Sequence, residues 1–339
     1  MTDQPLLSVR HLTTEFRLAD KQVACALEDV SFDVMPGQTL GLVGESGCGK
    51  TITLMSIMRL LPANGRITAG NVYFNGVDLL RLSEREMRDH RWKEIAIIFQ
   101  GAMNALNPVM KIGDQIREAI LLHNLMEREA AEKRVGELLE MVGIPSIRRD
   151  QYPHQYSGGM RQRAMIAMAL ACSPDLLFAD EPTTALDVMI QAQVLELLKK
   201  IQKNLGLTIV LVTHDLGVVA EMCDAVVVMY GGMVAEYGPA ELVYNQPQHP
   251  YTQRLLEAFP DLNRLSDPST GSGQDLATIP GTPPRLNALP PGCRFSPRCY
   301  QSMEICTRIA PKLVDMAIPD SGARHMAACH LLKGKEIEG

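Results

Sequence analysis

No stretch of this sequence approaches the ~18 consecutive apolar residues that a membrane-spanning helix needs. The start, MTDQPLLSVR, lacks the basic opening and apolar run of a secretory signal. The expectation is a soluble, cytoplasmic chain. Positive charge is also in short supply. Lys and Arg number 33 against 39 Asp and Glu, a net charge of -6, which argues against a broad nucleic-acid-binding face and for metabolic or protein partners. Internal repeats are absent, and the one low-complexity piece is SDPSTGSGQD at 266–275. Proline is sparse at first: eight lie in the first 238 residues and thirteen in the last 101. A disulfide framework is not expected from the eight cysteines, because a reducing compartment keeps thiols reduced. Cys25, Cys48, Cys172 and Cys223 stand singly and read as small buried hydrophobes. Four more crowd between 293 and 329.

The proline shift places a domain boundary near 245 in a chain of 339 residues, longer than one usual domain. Before it, short β-rich runs alternate with long helical ones, as in an α/β domain. TLGLV (39–43), DLLFAD (175–180), TIVLVTHD (208–215) and AVVVMY (225–230) are apolar on both faces and suit a buried, parallel central sheet. LLSVRHLTTEF and ALEDVSFDV look like an antiparallel layer, and Gly231-Gly232 followed by MVAEYG looks like a hairpin. The stretch 114–143 carries Val135, Leu138, Leu139 and Val142 at helical spacing, closed by Gly143. It reads as an amphipathic helix within a helical subdomain, at about 101–170, inserted into the α/β core.

GESGCGKT (44–51) fits the pattern G-x-x-x-x-G-K-S/T, between an apolar strand and the helix-like TITLMSIMRLL. Such a loop, here Gly44, Glu45, Ser46, Gly47, Cys48, Gly49, Lys50 and Thr51, folds backbone N–H groups around phosphate oxygens and adds the positive end of a helix. Lys50 is expected to reach the β- and γ-phosphates, and the Thr51 hydroxyl to hold Mg2+. Downstream, LLFADEP ends a strand in Asp180 and Glu181; one acid there can hold Mg2+ and the other can orient or deprotonate water.

At YSGGMRQR (156–163) the sequence resembles the signature of ATP-binding-cassette (ABC) ATPases, a likeness covering about the first 240 residues. Gln100 is similar to that family's Q-loop, Ala185-Leu186-Asp187 to its D-loop and His214 to its switch histidine. The fifth signature position is Met160, where glutamine is commoner. The resemblance implies an ABC-type ATPase core over 1–245, with a mixed central sheet and an antiparallel β subdomain. It also implies two cassettes facing head to tail, with ATP between the phosphate loop of one and Ser157, Gly158, Gly159 and Met160 of the other. In that arrangement Glu181 is the general base, His214 contacts the γ-phosphate, Gln100 and Asp180 join Thr51 around Mg2+, and Asp187 crosses the interface. Phe16 is the candidate for stacking on adenine, with a core-facing strand position as its other reading. A hydroxyl, bare glycine N–H groups and a helix start converge at Ser157 and suit a phosphate; Ser157 also reads as a plain N-cap.

YPHQYSGGM, DEPTTALDVMIQAQ and HPYTQRLL (249–256) resemble the ATPase subunits of peptide and nickel importers. That likeness implies ATP-driven uptake of dipeptides or oligopeptides, with nickel or another small solute as the alternative cargo. It implies two transmembrane permeases, a second and paralogous ATPase, an extracytoplasmic binding protein, and a peripheral place on the cytoplasmic face of the bacterial inner membrane. A soluble, non-transport ABC ATPase is the competing class, but such proteins generally carry two cassettes or long coiled-coil inserts. In the extension, 246–339, Cys293, Cys299, Cys306 and Cys329 are spaced x5, x6 and x22. These gaps choose no metal: zinc, with His325 or His330 taking part, an iron-sulfur cluster and reduced structural thiols all stay open. The likeness to dipeptide-importer subunits implies a 4Fe-4S cluster on the four thiolates.

Overall fold

The computed structural model describes residues 4–19, 22–101, 105–184, 186–258, 279–316, 324–332 and 335–336. Its chain divides into two compact units, one made of 1–34, 40–80 and 213–339 and the other of 35–39 and 81–212. In the first unit, β1 (Leu7–Arg17) and β2 (Val23–Val34) pair antiparallel. They are long because β-branched and apolar residues alternate with polar ones, and Leu7, Val9, Leu12, Val30, Phe32 and Val34 fill one face. Next comes β3 (Thr39–Val43), buried at every residue, and then α1 (Lys50–Ile57). Two further antiparallel strands, β4 (Gly65–Phe74) and β5 (Val77–Asp78), complete a four-stranded sheet in the order β2-β1-β4-β5.

The second unit holds α2 (Glu84–His90), β6 (Ile95–Ile98), α3 (Ile112–Leu122), α4 (Arg128–Met141), α5 (Gly158–Ala169), β7 (Leu176–Asp180), α6 (Val188–Leu205) and β8 (Thr208–Thr213). Strands β6, β7 and β8 run parallel, and their near-continuous apolar sequence follows from burial on both faces. The stretch 114–143 is two helices, not the single helix its spacing predicts. The break follows from Asn124, which adopts a left-handed φ of 49° while Leu125 N–H donates to the Ile120 carbonyl at 3.2 Å. That closure needs a residue tolerant of positive φ, and asparagine is one. The Gly143 stop holds: its φ is 74°, and Val135, Leu138, Leu139 and Val142 are all buried.

Returning to the first unit, the chain forms α7 (Leu216–Met222), β9 (Ala225–Tyr230), β10 (Met233–Pro239), α8 (Ala240–Asn245), α9 (Pro250–Glu257), β11 (Val314–Asp315), β12 (Met326–Ala327) and β13 (Lys335–Glu336). β3 pairs parallel with β9, whereas the β9–β10 hairpin is antiparallel, so this sheet is mixed. The proline-rich region is more regular than its composition predicts. Its β12 pairs with β10, and β11 and β13 follow. Its described residues pack by laying Tyr251, Leu255 and Phe295 on Val43, Val226, Val228 and Tyr230. The low-complexity piece 266–275 lies outside the described residues. No helix among the described residues is long and apolar enough to cross a membrane.

Candidate functional site

The phosphate-loop pattern sits where strand β3 ends and α1 begins. Two of its glycines are required by space. At Gly44, φ is 147° and a Cβ would run into the Met229 carbonyl. At Gly49, which caps α1, φ is 109° and a Cβ would stand 2.8 Å from Leu27 Cδ2. The Lys50 ammonium is buried and donates to the carbonyls of Gly44 at 2.6 Å and Glu45 at 3.1 Å. Burial pushes the Cys48 thiol above its ordinary pKa, with the neighbouring Lys50 pulling the other way. The loop thus has a bent, side-chain-poor wall, a cation in its mouth and a helix start below it, which is an arrangement for phosphate.

In the second unit, Gln100 follows β6 and Glu181 follows β7, and the parallel pairing of the two strands brings these ends together. Gln100 Nε2 donates to Glu181 Oε2 at 2.7 Å, and Thr184 Oγ1 donates to the same oxygen at 2.8 Å. Glu181 has φ 45°, rare for a residue with a side chain, and its N–H donates to the Val212 carbonyl at 3.0 Å. Strain of this kind turns a carboxylate out of a strand end and fixes its aim. Asp180, the preceding residue, is buried. Thr184 was not singled out by sequence, although the string DEPTT places it one turn after Glu181.

Ser157 is an N-cap: its Oγ accepts from Met160 N–H at 3.3 Å at the start of α5. Gly158 and Gly159 form the first turn, and a Cβ on Gly159 would meet Ile190 Cγ2 at 2.9 Å. Asp187 caps α6, accepting from Ile190 N–H at 3.0 Å, and Ala185 beside it lies outside the described residues. His214 is exposed between β8 and α7. Phe16 lies on β1 opposite Gly65, which its ring covers closely enough to exclude a Cβ there.

The extension reaches the phosphate loop, a contact with no clear signal in the sequence. HPYT begins α9: His249 caps it, accepting from Tyr251 N–H at 3.0 Å, with Pro250 in the first turn. The Tyr251 hydroxyl then accepts the Glu45 N–H at 2.9 Å. Arg298 grips the Glu45 carboxylate with both ends of its guanidinium, at 2.5 and 3.0 Å.

Cys293, Cys299, Cys306 and Cys329 line one small pocket, together with His249 and His330. All eight cysteines are free thiols. Burial raises Cys293 to about 11 and likewise raises Cys299 above the ordinary thiol value. Among the described residues, no group of three or more His, Cys, Asp or Glu side chains is arranged to hold a metal ion. His325 donates or accepts with Glu236 at 2.7 Å, and His330 Nε2 meets the Ile309 carbonyl at 2.8 Å.

Residues 27–184 match the family described as ABC transporter, and 235–306 match the C-terminal region of oligopeptide/dipeptide transporters. The dipeptide transport ATP-binding protein DppD of Bacillus subtilis is 50% identical over 311 residues, covering 91% of this chain and 90% of that protein. The oligopeptide transport ATP-binding protein OppD of Salmonella typhimurium is 47% identical over 308 residues, with 90% and 89% covered. Among solved structures, a dimeric ATP-binding cassette in a post-hydrolysis state, bound to ADP and Pi, superposes with a TM-score of 0.62 at 28% identity, covering 69% of this chain and 98% of that one. With strand, loop and helix placed around both motifs and likeness along nine-tenths of its length, the chain belongs to the oligopeptide/dipeptide family of ABC transporter ATP-binding proteins.

Proposed function

We propose that this chain is the ATP-hydrolysing subunit of an importer of dipeptides or oligopeptides. Residues 1–245 form the ATPase cassette, and 246–339 form the extension typical of such importers. The observation that carries the hydrolytic reading is the Glu181 carboxylate, turned out of the end of β7 and held by Gln100 and Thr184. Loop N–H groups from Gly44 to Thr51 and the Lys50 ammonium bind the phosphates. The Thr51 hydroxyl, the Asp180 carboxylate and the Gln100 amide oxygen are hard oxygen donors of the kind Mg2+ prefers; the ion, when bound, neutralises charge on the β- and γ-phosphates. Glu181 takes the proton of the attacking water, and His214 steadies charge on the γ-phosphate as the bond to the β-phosphate breaks.

A second cassette completes the site. Its signature, equivalent to Ser157, Gly158, Gly159 and Met160, offers a hydroxyl, N–H groups and a helix start to the γ-phosphate. Asp187 faces the opposite subunit. That second cassette is a paralogous ATPase, and both sit beneath two permeases at the cytoplasmic face of the inner membrane, supplied by an extracytoplasmic binding protein.

For the extension we propose a 4Fe-4S cluster on Cys293, Cys299, Cys306 and Cys329. Four free thiols around one pocket fit the donor set. His325 and His330 already have partners. The cluster would tie together loops far apart in sequence.

The test is Glu181→Gln in the complex purified with its associates. Loss of phosphate release with ATP retained in a stable dimer is expected; turnover at the wild-type rate overturns the base assignment. Iron and sulfide assays on protein purified without oxygen test the extension, and a colourless, zinc-loaded protein overturns the cluster.

A further inference from the structure

We propose that Tyr251 and Arg298 are positioning residues of the nucleotide site, clamping the phosphate loop through Glu45. This rests on the reading of 44–51 as that loop. Both handles of Glu45 are held from the extension: its N–H by the Tyr251 hydroxyl at 2.9 Å, its carboxylate by the Arg298 fork. The clamp is built into the interior. Tyr251 is fully buried, and the Arg298 side chain is 4% exposed, its remaining donors spent on the Tyr230 hydroxyl and the carbonyls of Ile279 and Pro280. A planar fork on a carboxylate fixes direction as well as distance, which a lysine cannot do.

The consequence runs through the backbone. The Glu45 N–H belongs to the peptide that carries the Gly44 carbonyl, and the Glu45 carboxylate hangs from the Cα that leads to the Glu45 carbonyl, so holding both fixes the backbone from which these two carbonyls project. The carbonyls of Gly44 and Glu45 are the two that hold the Lys50 ammonium. The clamp therefore sets where the phosphate-binding cation points. Tyr251 is rigid in turn, because its ring packs on Tyr230 and Phe295 with centroids 4.6 and 5.4 Å away. Arg298 lies between Phe295 and Cys299, so the segment that bears two of the pocket cysteines is the segment that grips the loop.

The experiment measures affinity for a fluorescent ATP analogue with Mg2+ on the full chain, together with the unfolding midpoint. The variants are Tyr251→Phe, Arg298→Met, Glu45→Gln, the Glu45→Gln/Arg298→Met double, and Lys50→Ala as the site control. Tyr251→Phe removes one oxygen and leaves the ring packing, so it reads the clamp if Arg298→Met fails to fold. A roughly fivefold weaker affinity in Tyr251→Phe is expected from one lost hydrogen bond. Arg298→Met and Glu45→Gln should weaken binding more, and the double should be no worse than the weaker single. If Lys50→Ala abolishes binding while the clamp variants bind within twofold of wild type, whatever their midpoints, the clamp is refuted and the loop reading stands. If Lys50→Ala binds as wild type, the loop reading itself falls.

Discussion

Glu236→Gln should release the C-terminal extension from β10 without altering the shape of the core. Glu236 is fully buried, and three donors or partners converge on it. Oε1 accepts the Gln248 N–H at 2.8 Å and meets His325 Nε2 at 2.7 Å; Oε2 accepts the His249 N–H at 2.9 Å. A glutamine has the same volume but one oxygen. With that oxygen at the Oε1 place, the NH2 faces the His249 N–H. With it at the Oε2 place, the NH2 faces the Gln248 N–H, and only His325 can adapt by changing tautomer. Either way a backbone N–H just before α9, buried at His249 and part-buried at Gln248, meets a donor, which costs about 1–3 kcal/mol, and the surviving bonds lose charge assistance. Together these weaken the anchorage by about 3 kcal/mol, which is roughly a hundredfold in local opening. Hydrogen exchange followed by mass spectrometry reads this directly in peptides from β10, α9 and 324–332, with α3 and α4 as internal references. Exchange within about threefold of wild type in those peptides would refute the reasoning.

Three further outcomes follow from the same contacts. Thr184→Val removes a donor to Glu181 Oε2 and should lower kcat about fivefold with ATP affinity unchanged, measured by steady-state phosphate release. Gly44→Ala drives a Cβ into the Met229 carbonyl at a φ of 147° and should abolish nucleotide binding in calorimetry, with the circular dichroism spectrum retained. His249 is held down from 6.5 to about 4 by burial, opposed by Glu236. The unfolded chain therefore binds this proton first, and stability present above pH 6.5 is lost as pH falls toward 4. Between pH 7 and pH 5 the loss is about 2 kcal/mol. His249→Asn, which keeps a helix-capping oxygen, should flatten that part of the slope in urea unfolding at the two pH values.

The elements around the glycine-rich loop and after β7 were legible because their sequence constraints are local. A fully apolar strand followed by glycines, lysine and threonine can be read as strand, loop and helix from β3 to α1, since each residue's role is set by its immediate neighbours. The same holds for DLLFAD and the acid after it. What local reading lost was the break at Asn124, where a single tolerant side chain ends α3 against an otherwise continuous apolar stripe. It also lost every contact made across long separations. Glu45 and Arg298 are 253 residues apart, and neither belongs to a pattern that predicts the other. HPYT stands out as a string, yet nothing in four residues says that its tyrosine will reach a phosphate loop.

The extension explains why those distant contacts exist. Among the described residues the extension is rich in proline, its strands are two residues long, and its order is borrowed. It borrows apolar order from the β9 face, through Tyr251 and Phe295 on Tyr230, and polar order from β10, through Glu236. Tyr230 ends β9, whose parallel partner β3 leads into the phosphate loop. Any segment that anchors on that aromatic therefore arrives beside Glu45, and a tyrosine hydroxyl and a guanidinium satisfy the groups they cover there. The packing that gives the cysteine region its order is, for this geometric reason, the packing that touches the glycine-rich loop at Glu45.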